Sequence, residues 1–220
     1  MTHWVGYGLV VLAATSAWPA IAFGQGSNPI TVDLSVTPPG GEPSDFAFWR
    51  TGQGEAARWT IVADPTAASG QALAQVSKDR TDYRFPLAIY KPFSGKDLEL
   101  SMRFKPVAGT VDEAGGIAVR LQTPDDYYVA RANALEDNVR FYRVVKGNRE
   151  QLAGANVKVS ANQWHTLALK AEGDSFTVTF DGKALISTRD STFPDAGKVA
   201  LWTKADSVTY FDTISMRSLK

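Results

Sequence analysis

Apolar and polar residues alternate one for one in a series of short runs, and this period of two confines the chain to β-strands. Leu98, Leu100, Met102 and Phe104 alternate with Glu99, Ser101, Arg103 and Lys105. Phe176, Val178 and Phe180 alternate with Thr177, Thr179 and Asp181, and Asp181-Gly182 is a two-residue hairpin signal leading into 183–187. Weaker runs lie at 30–36, 58–63, 71–76, 164–170, 198–202 and 208–216. Successive side chains of a strand point to opposite faces, so each run has one buried and one outward face. No segment sustains a helical period. Short strands punctuated by Gly and Pro turns predict an all-β fold, a two-sheet antiparallel sandwich.

The length, 220 residues, suits one such domain with a substantial core. Lys+Arg and Asp+Glu are equal at 23 each, so net charge draws the chain neither to nucleic acid nor to an anionic membrane. Residues 5–17 form an apolar run of about 13 residues, short for a bilayer span. Small residues follow it at Ala20-Ile21-Ala22 and Ala22-Phe23-Gly24. This is the pattern of a cleaved signal peptide, residues 1–24, and it predicts a periplasmic or extracellular protein with no stable membrane insertion after cleavage. Residues 25–44 read as a lead-in segment and 45–220 as the sandwich. The absence of cysteine excludes disulfides, thiolate metal ligands and a thiol nucleophile.

Residues 115–145 hold three strands in succession, GGIAVRLQ, YYVARAN and NVRFYRVV. Ile117, Val119 and Leu121 mark the buried face of the first, so Arg120 and Gln122 point the other way. The turn Thr123-Pro124-Asp125-Asp126 sets Gln122 opposite Tyr127. The turn at 134–137 sets Asn133 opposite Asn138 and Arg131 opposite Arg140. On this register Arg120, Gln122, Tyr127, Arg131, Asn133, Asn138, Arg140 and Tyr142 share one solvent-facing surface. Planar donors beside aromatic rings suit a sugar or a carboxylate. A slip of one residue would turn the whole set inward, and Arg143 falls on the proposed core face.

Four stretches resemble one family: FAFWRTGQG followed by Trp59, KDLELSMRFKPVAGTVDEAGGIAVR, YYVARANALEDNVRFYRVVKG and GKVALWTKADSVTYFD. It is the exported bacterial family of concanavalin A-like (laminin-G-like) jelly rolls. These proteins are often labelled as related to family 16 glycoside hydrolases and are grouped with the 3-keto-glycoside lyase/hydratase domain, formerly the 3-keto-disaccharide hydrolase domain. The resemblance covers residues 45–216. It implies two antiparallel sheets packed face to face, with a concave surface that binds carbohydrate in related folds.

Family 16 enzymes carry their acids as Glu-x-Asp-x-(x)-Glu on one strand, and that motif is absent, which argues against two-carboxylate glycoside hydrolysis. A binding domain needs only the polar strand face, and three arginines there favour uronate, sulfate or phosphate groups. Elimination or hydration of a 3-keto-glycoside would need a base, with Glu99, Glu136 or Asp206 as candidates, and arginine to steady an enolate. Lys204 is a further candidate ligand contact. Asp212 resembles an aspartate in the last strand of many laminin-G-like domains, whose region holds a structural calcium in some relatives. A divalent metal, structural or catalytic, is therefore an allowed cofactor. The remaining reading is an accessory domain that binds a protein partner.

Overall fold

The structure is a computed structural model that describes Met1 and residues 27–219. The proposed signal peptide lies, Met1 apart, outside the described residues. In chain order the strands are β1 (Ile30–Thr31), β2 (Phe46–Gly52), β3 (Trp59–Ala63), β4 (Gln71–Gln75), β5 (Arg84–Gly95), β6 (Leu98–Ala108), β7 (Ala114–Thr123) and β8 (Asp126–Asn133). They continue with β9 (Asn138–Val145), β10 (Asn148–Asn156), β11 (His165–Glu172), β12 (Ser175–Phe180), β13 (Lys183–Arg189), β14 (Gly197–Trp202) and β15 (Val208–Ser218). Among the described residues there is no helix.

Two antiparallel sheets result. One runs β13-β12-β11-β6-β15-β4-β3, with β1 added against β15; the other runs β10-β9-β8-β7-β14-β5-β2. The alternation seen in the sequence decides which side chains meet between them. Leu98, Leu100, Met102 and Phe104 of β6 face Ile117, Val119, Tyr128, Phe141 and Leu201 of the second sheet across the main core. Tyr128, Phe141 and Phe176 pack ring on ring at centroid distances of 4.5–5.8 Å. Each such buried ring contributes roughly 1.5–3 kcal/mol of transfer free energy. The Asp181-Gly182 turn forms as expected: both residues have positive φ, 45° and 78°, and Phe180 pairs with Lys183.

Three strands escaped the period-of-two reading, β2, β5 and β10, the last two for opposite reasons. Residues 84–90 of β5 are buried on both faces, so they read as an apolar run without alternation. Strand β10 is a polar sheet edge with little buried on either face. In the lead-in only Ile30 and Thr31 pair, but Val32 and Leu34 enter the core.

The outer face of the second sheet carries its own core. Phe85, Leu87, Ala118, Tyr127, Val129, Tyr142, Val144 and Trp202 pack there, away from the first sheet. The reason is curvature. Strands β2 and β8 are four places apart in the sheet, roughly 19 Å if it were flat. Yet the hydroxyl of Tyr127 on β8 lies 2.8 Å from that of Thr51 on β2 and accepts from the Trp202 indole at 3.3 Å. The sheet is rolled over its own outer surface. Edge meets edge where the Tyr83 hydroxyl donates to Gly147 O at 3.0 Å and accepts from Arg149 N at 2.7 Å.

Candidate functional site

The roll decides which of the expected residues can meet a ligand. Arg131 pairs with Arg140, Asn133 with Asn138, and Val129 with Tyr142, as the turn at 134–137 predicts. Arg131 is 4% exposed. Its Nη1 donates to Asn138 Oδ1, and its Nη2 donates to Glu136 at 2.7 Å and to Tyr142 Oη at 3.1 Å. Glu136 also accepts from Asn138 at 3.0 Å. Burial pushes the Glu136 carboxyl up, but the Asn138 and Arg131 hydrogen bonds outweigh it and hold it below its usual value. Asn133 is fully buried; it donates to Asp112 at 2.8 Å and caps the following turn by accepting from Leu135 N. Asp112 in turn pairs with Lys204 at 2.9 Å, and Lys204 reaches Asp82 at 2.6 Å. Burial raises Asp112 despite Lys204; burial lowers Lys204, but its two carboxylates prevail and raise it. This gathers Arg131, Asn133, Glu136, Asn138, Tyr142 and Lys204 into one network, with Asp82 and Asp112 added.

Several expected members stand elsewhere. Arg120 is the main correction. A bulge between Val119 and Thr123 gives it a φ of 50° and breaks the alternation there, although Thr123 pairs with Asp126 at the turn in the expected register. The Arg120 guanidinium lies over Phe176 in the main core and donates to the carbonyls of Lys96, Phe193 and Gly173. It is a buried structural arginine. Gln122, beyond the bulge, donates to Ala196 O at 3.1 Å and does not join the network. Tyr127 is on the expected face but fully buried, its hydroxyl committed to Thr51 and Trp202 and its pKa pushed up by burial. Arg140 turns to the edge strand, donating to Ala155 O and Asn156 Oδ1; it lies across Gly154, where a Cβ would stand 2.4 Å from Arg140 Cδ. Arg143, the residue out of place on the core face, is held there by Glu150 and Asp190.

Two of the candidate bases are also corrected. Glu99 belongs to the other sheet, where Arg217 holds it at 2.6 and 2.9 Å. Asp206 accepts from the backbone N–H groups of Thr110, Val111 and Asp112 and from the Thr110 hydroxyl. It clamps the loop that carries Asp112 and has no lone pair to spare for substrate. Asp212 faces donors: Ala68 N at 2.7 Å, the Thr213 hydroxyl at 3.1 Å and Arg103 at 3.5 Å. A cation needs oxygen ligands in those places, so this position does not fit a metal. Among the described residues no three His, Asp or Glu side chains gather as a metal site.

The residue that sequence reasoning missed is Arg149. It comes from the polar edge strand β10, and the roll carries it to rings that are distant in the sheet. Its guanidinium carbon lies 4.5 Å from the Tyr142 ring centroid, 4.8 Å from Phe85 and 6.0 Å from Trp202. Phe85 and Trp202 are themselves stacked at 5.3 Å. Its Nη1 is buried and has no hydrogen-bond partner among the described residues. Arg131 Nε, on the other side chain that approaches the Tyr142 ring, is likewise buried without a partner. Such donors are a deficit the fold leaves open. An open depression of about 690 Å³ lies elsewhere, lined by Glu55–Arg58 and Val76–Asp79, and contains none of these groups.

Two antiparallel sheets packed face to face, one of them rolled over its outer surface, define a concanavalin A-like jelly roll. Residues 103–219 match the galactocerebrosidase C-terminal lectin domain, and the chain belongs to that family. Among solved structures it is similar to the carbohydrate-binding module CBM66 from Bacillus subtilis, at 21% identity and a TM-score of 0.63 over 80% of this chain and 98% of that one. It is also similar to a Bacillus subtilis protein of unknown function with a galectin-like fold, at 11% identity and a TM-score of 0.56 over 79% and 89% of the two chains. A third likeness is to the β-glucanase of Bacillus licheniformis, at 12% identity and a TM-score of 0.55 over 89% and 100%. No curated protein matches the chain.

Proposed function

We propose that this chain is an exported carbohydrate-binding domain that takes glycans bearing an anionic or oxidised group at the lip of the rolled sheet. The observation that carries the reading is Arg149, a guanidinium framed by three aromatic rings with an unpaired buried N–H. Arginine presents a planar fork that matches a carboxylate or sulfate, and the buried rings of Phe85, Tyr142 and Trp202 hold that fork in place at the lip. Membership of a lectin-domain family supports carbohydrate as the ligand class. Export rests on the N-terminal apolar run alone.

The test is a calorimetric titration of the protein with uronate oligosaccharides and with neutral oligosaccharides of equal length. Acidic ligands bind more tightly, lose affinity as salt rises, and lose about tenfold or more with Arg149→Ala. Equal binding of acidic and neutral sugars would remove the anionic claim; binding of neither would remove the carbohydrate claim.

Glu136 beside Arg131 supports a second reading, a lyase or hydratase of 3-keto-glycosides with Glu136 as base. New product signals in NMR spectra of a 3-keto-disaccharide, lost with Glu136→Gln, would favour it over simple binding.

A further inference from the structure

We propose that Trp49 is the stacking platform for a sugar ring held beside Arg149. The inference rests on the reading of this lip as a carbohydrate site and adds the residue that recognises the ring itself. Trp49 is 58% exposed, an uncommon state for so large an apolar side chain. Its direction follows from alternation along β2. Phe46 and Phe48 face the main core, whereas Ala47 packs in the outer-face core and Thr51 bonds to Tyr127 there. Trp49 therefore projects from the outer face, next to Leu87, with which it pairs.

The roll brings this edge to the edge that carries Arg149. Thr51, two residues from Trp49 on the same face, lies 4.0 Å from where a Cβ on Gly147 would stand. Gly147 is two residues before Arg149. Tyr83, 40% exposed, bridges the same two edges through its hydroxyl and meets Phe85 edge-on at 4.8 Å. Trp49 and Tyr83 are thus exposed aromatic residues on the edge that the roll brings to the strand of Arg149, whose guanidinium has an unpaired N–H. A pyranose has one face of C–H groups that packs on an indole, and an anionic substituent that an arginine can hold. The indole and the arginine together fit a sugar acid, and neither alone would.

The experiment is titration of the full chain with a uronate oligosaccharide, followed by tryptophan fluorescence and by calorimetry. Wild type, Trp49→Ala and Trp49→Phe are compared, each checked by its thermal midpoint. Trp49→Ala weakens binding about tenfold with an unchanged midpoint. Trp49→Phe keeps most of the affinity but loses most of the fluorescence change. If wild type binds and Trp49→Ala binds equally well, the platform is wrong and the carbohydrate reading stands. A midpoint lowered by both substitutions, with affinity intact, assigns Trp49 to packing and also overturns the platform. If wild type binds no sugar, both readings fall.

Discussion

Replacing Arg149 by Met separates a ligand anchor from a structural arginine, because the two roles predict opposite effects on stability. The guanidinium gains about 0.5–2 kcal/mol from the rings of Phe85, Tyr142 and Trp202. Against this stands the desolvation of a partly buried charge that has no anion, a penalty of several kcal/mol when burial is complete. Methionine fills similar volume and gains about 0.3–1.5 kcal/mol against the same rings. The substitution should therefore shift unfolding by less than about 1 kcal/mol, a midpoint change of about 2–4 °C at this chain length. With an acidic oligosaccharide at about 100 times its dissociation constant, wild type should gain about 2.7 kcal/mol. That is a rise of roughly 5–10 °C by the same scaling. With affinity weakened about tenfold, Arg149→Met should keep only about half of that rise, and less if the loss is larger. Differential scanning calorimetry with and without ligand reads both quantities. A loss of more than about 3 kcal/mol without ligand would refute the reasoning, because it would mean that the guanidinium holds the rolled edges together.

Arg120→Met should behave in the opposite way: three carbonyls, one buried and two part-buried, lose their donor, stability falls by about 3 kcal/mol in urea unfolding, and affinity of the folded fraction is unchanged. His165 should make stability fall at alkaline pH. Burial draws its pKa down, but the 2.7 Å hydrogen bond to Asp181, the Asp181 charge and the Ser160 backbone outweigh burial and raise it. A raised histidine stabilises fully below its ordinary pKa of about 6.5, and the contribution disappears as pH rises through the folded value. Thermal midpoints of Asp181→Asn should lack that alkaline decline. Asp206 has the acid counterpart. Burial raises it, but the N–H groups of the 110–112 loop outweigh burial and lower it, so its contribution is present above about pH 4 and is lost as pH falls through the folded value. Asp206→Asn should flatten the acid limb of the midpoint curve and speed amide exchange at Thr110–Asp112.

What the sequence makes legible is whatever obeys the period of two. The β6 and β12 alternations, the Asp181-Gly182 hairpin and the pairing of Arg131 with Arg140 all follow from it. Arg120 is misplaced because a bulge and a positive φ break that period at one residue, which no alternation rule registers. Tyr127 keeps its face but not its exposure, because burial there comes from the roll of the sheet. Arg149 was invisible for the same reason. Its strand shows no alternation, and its ring contacts join residues that the sheet order separates by as many as five places. Local pattern reports which side of a strand a residue occupies; it does not report how far the sheet bends.

The roll also explains why charge, rather than shape, marks this site. Most of the outer face is filled by its own core, so a ligand is left the lip where the edges of the sheet approach each other. Three carboxylates of the network already face a cation: Glu136 faces Arg131, and Asp82 and Asp112 face Lys204. Arg140 is committed to backbone and amide oxygens of the edge strand. Arg149 faces rings and no carboxylate among the described residues, and the unpaired Nε of Arg131 adds a second donor beside the same tyrosine ring. A hydrolytic pair would require two acids facing each other across a ligand. This arrangement instead has paired acids beside a guanidinium without a carboxylate, which is the charge balance that the proposed anionic glycan requires.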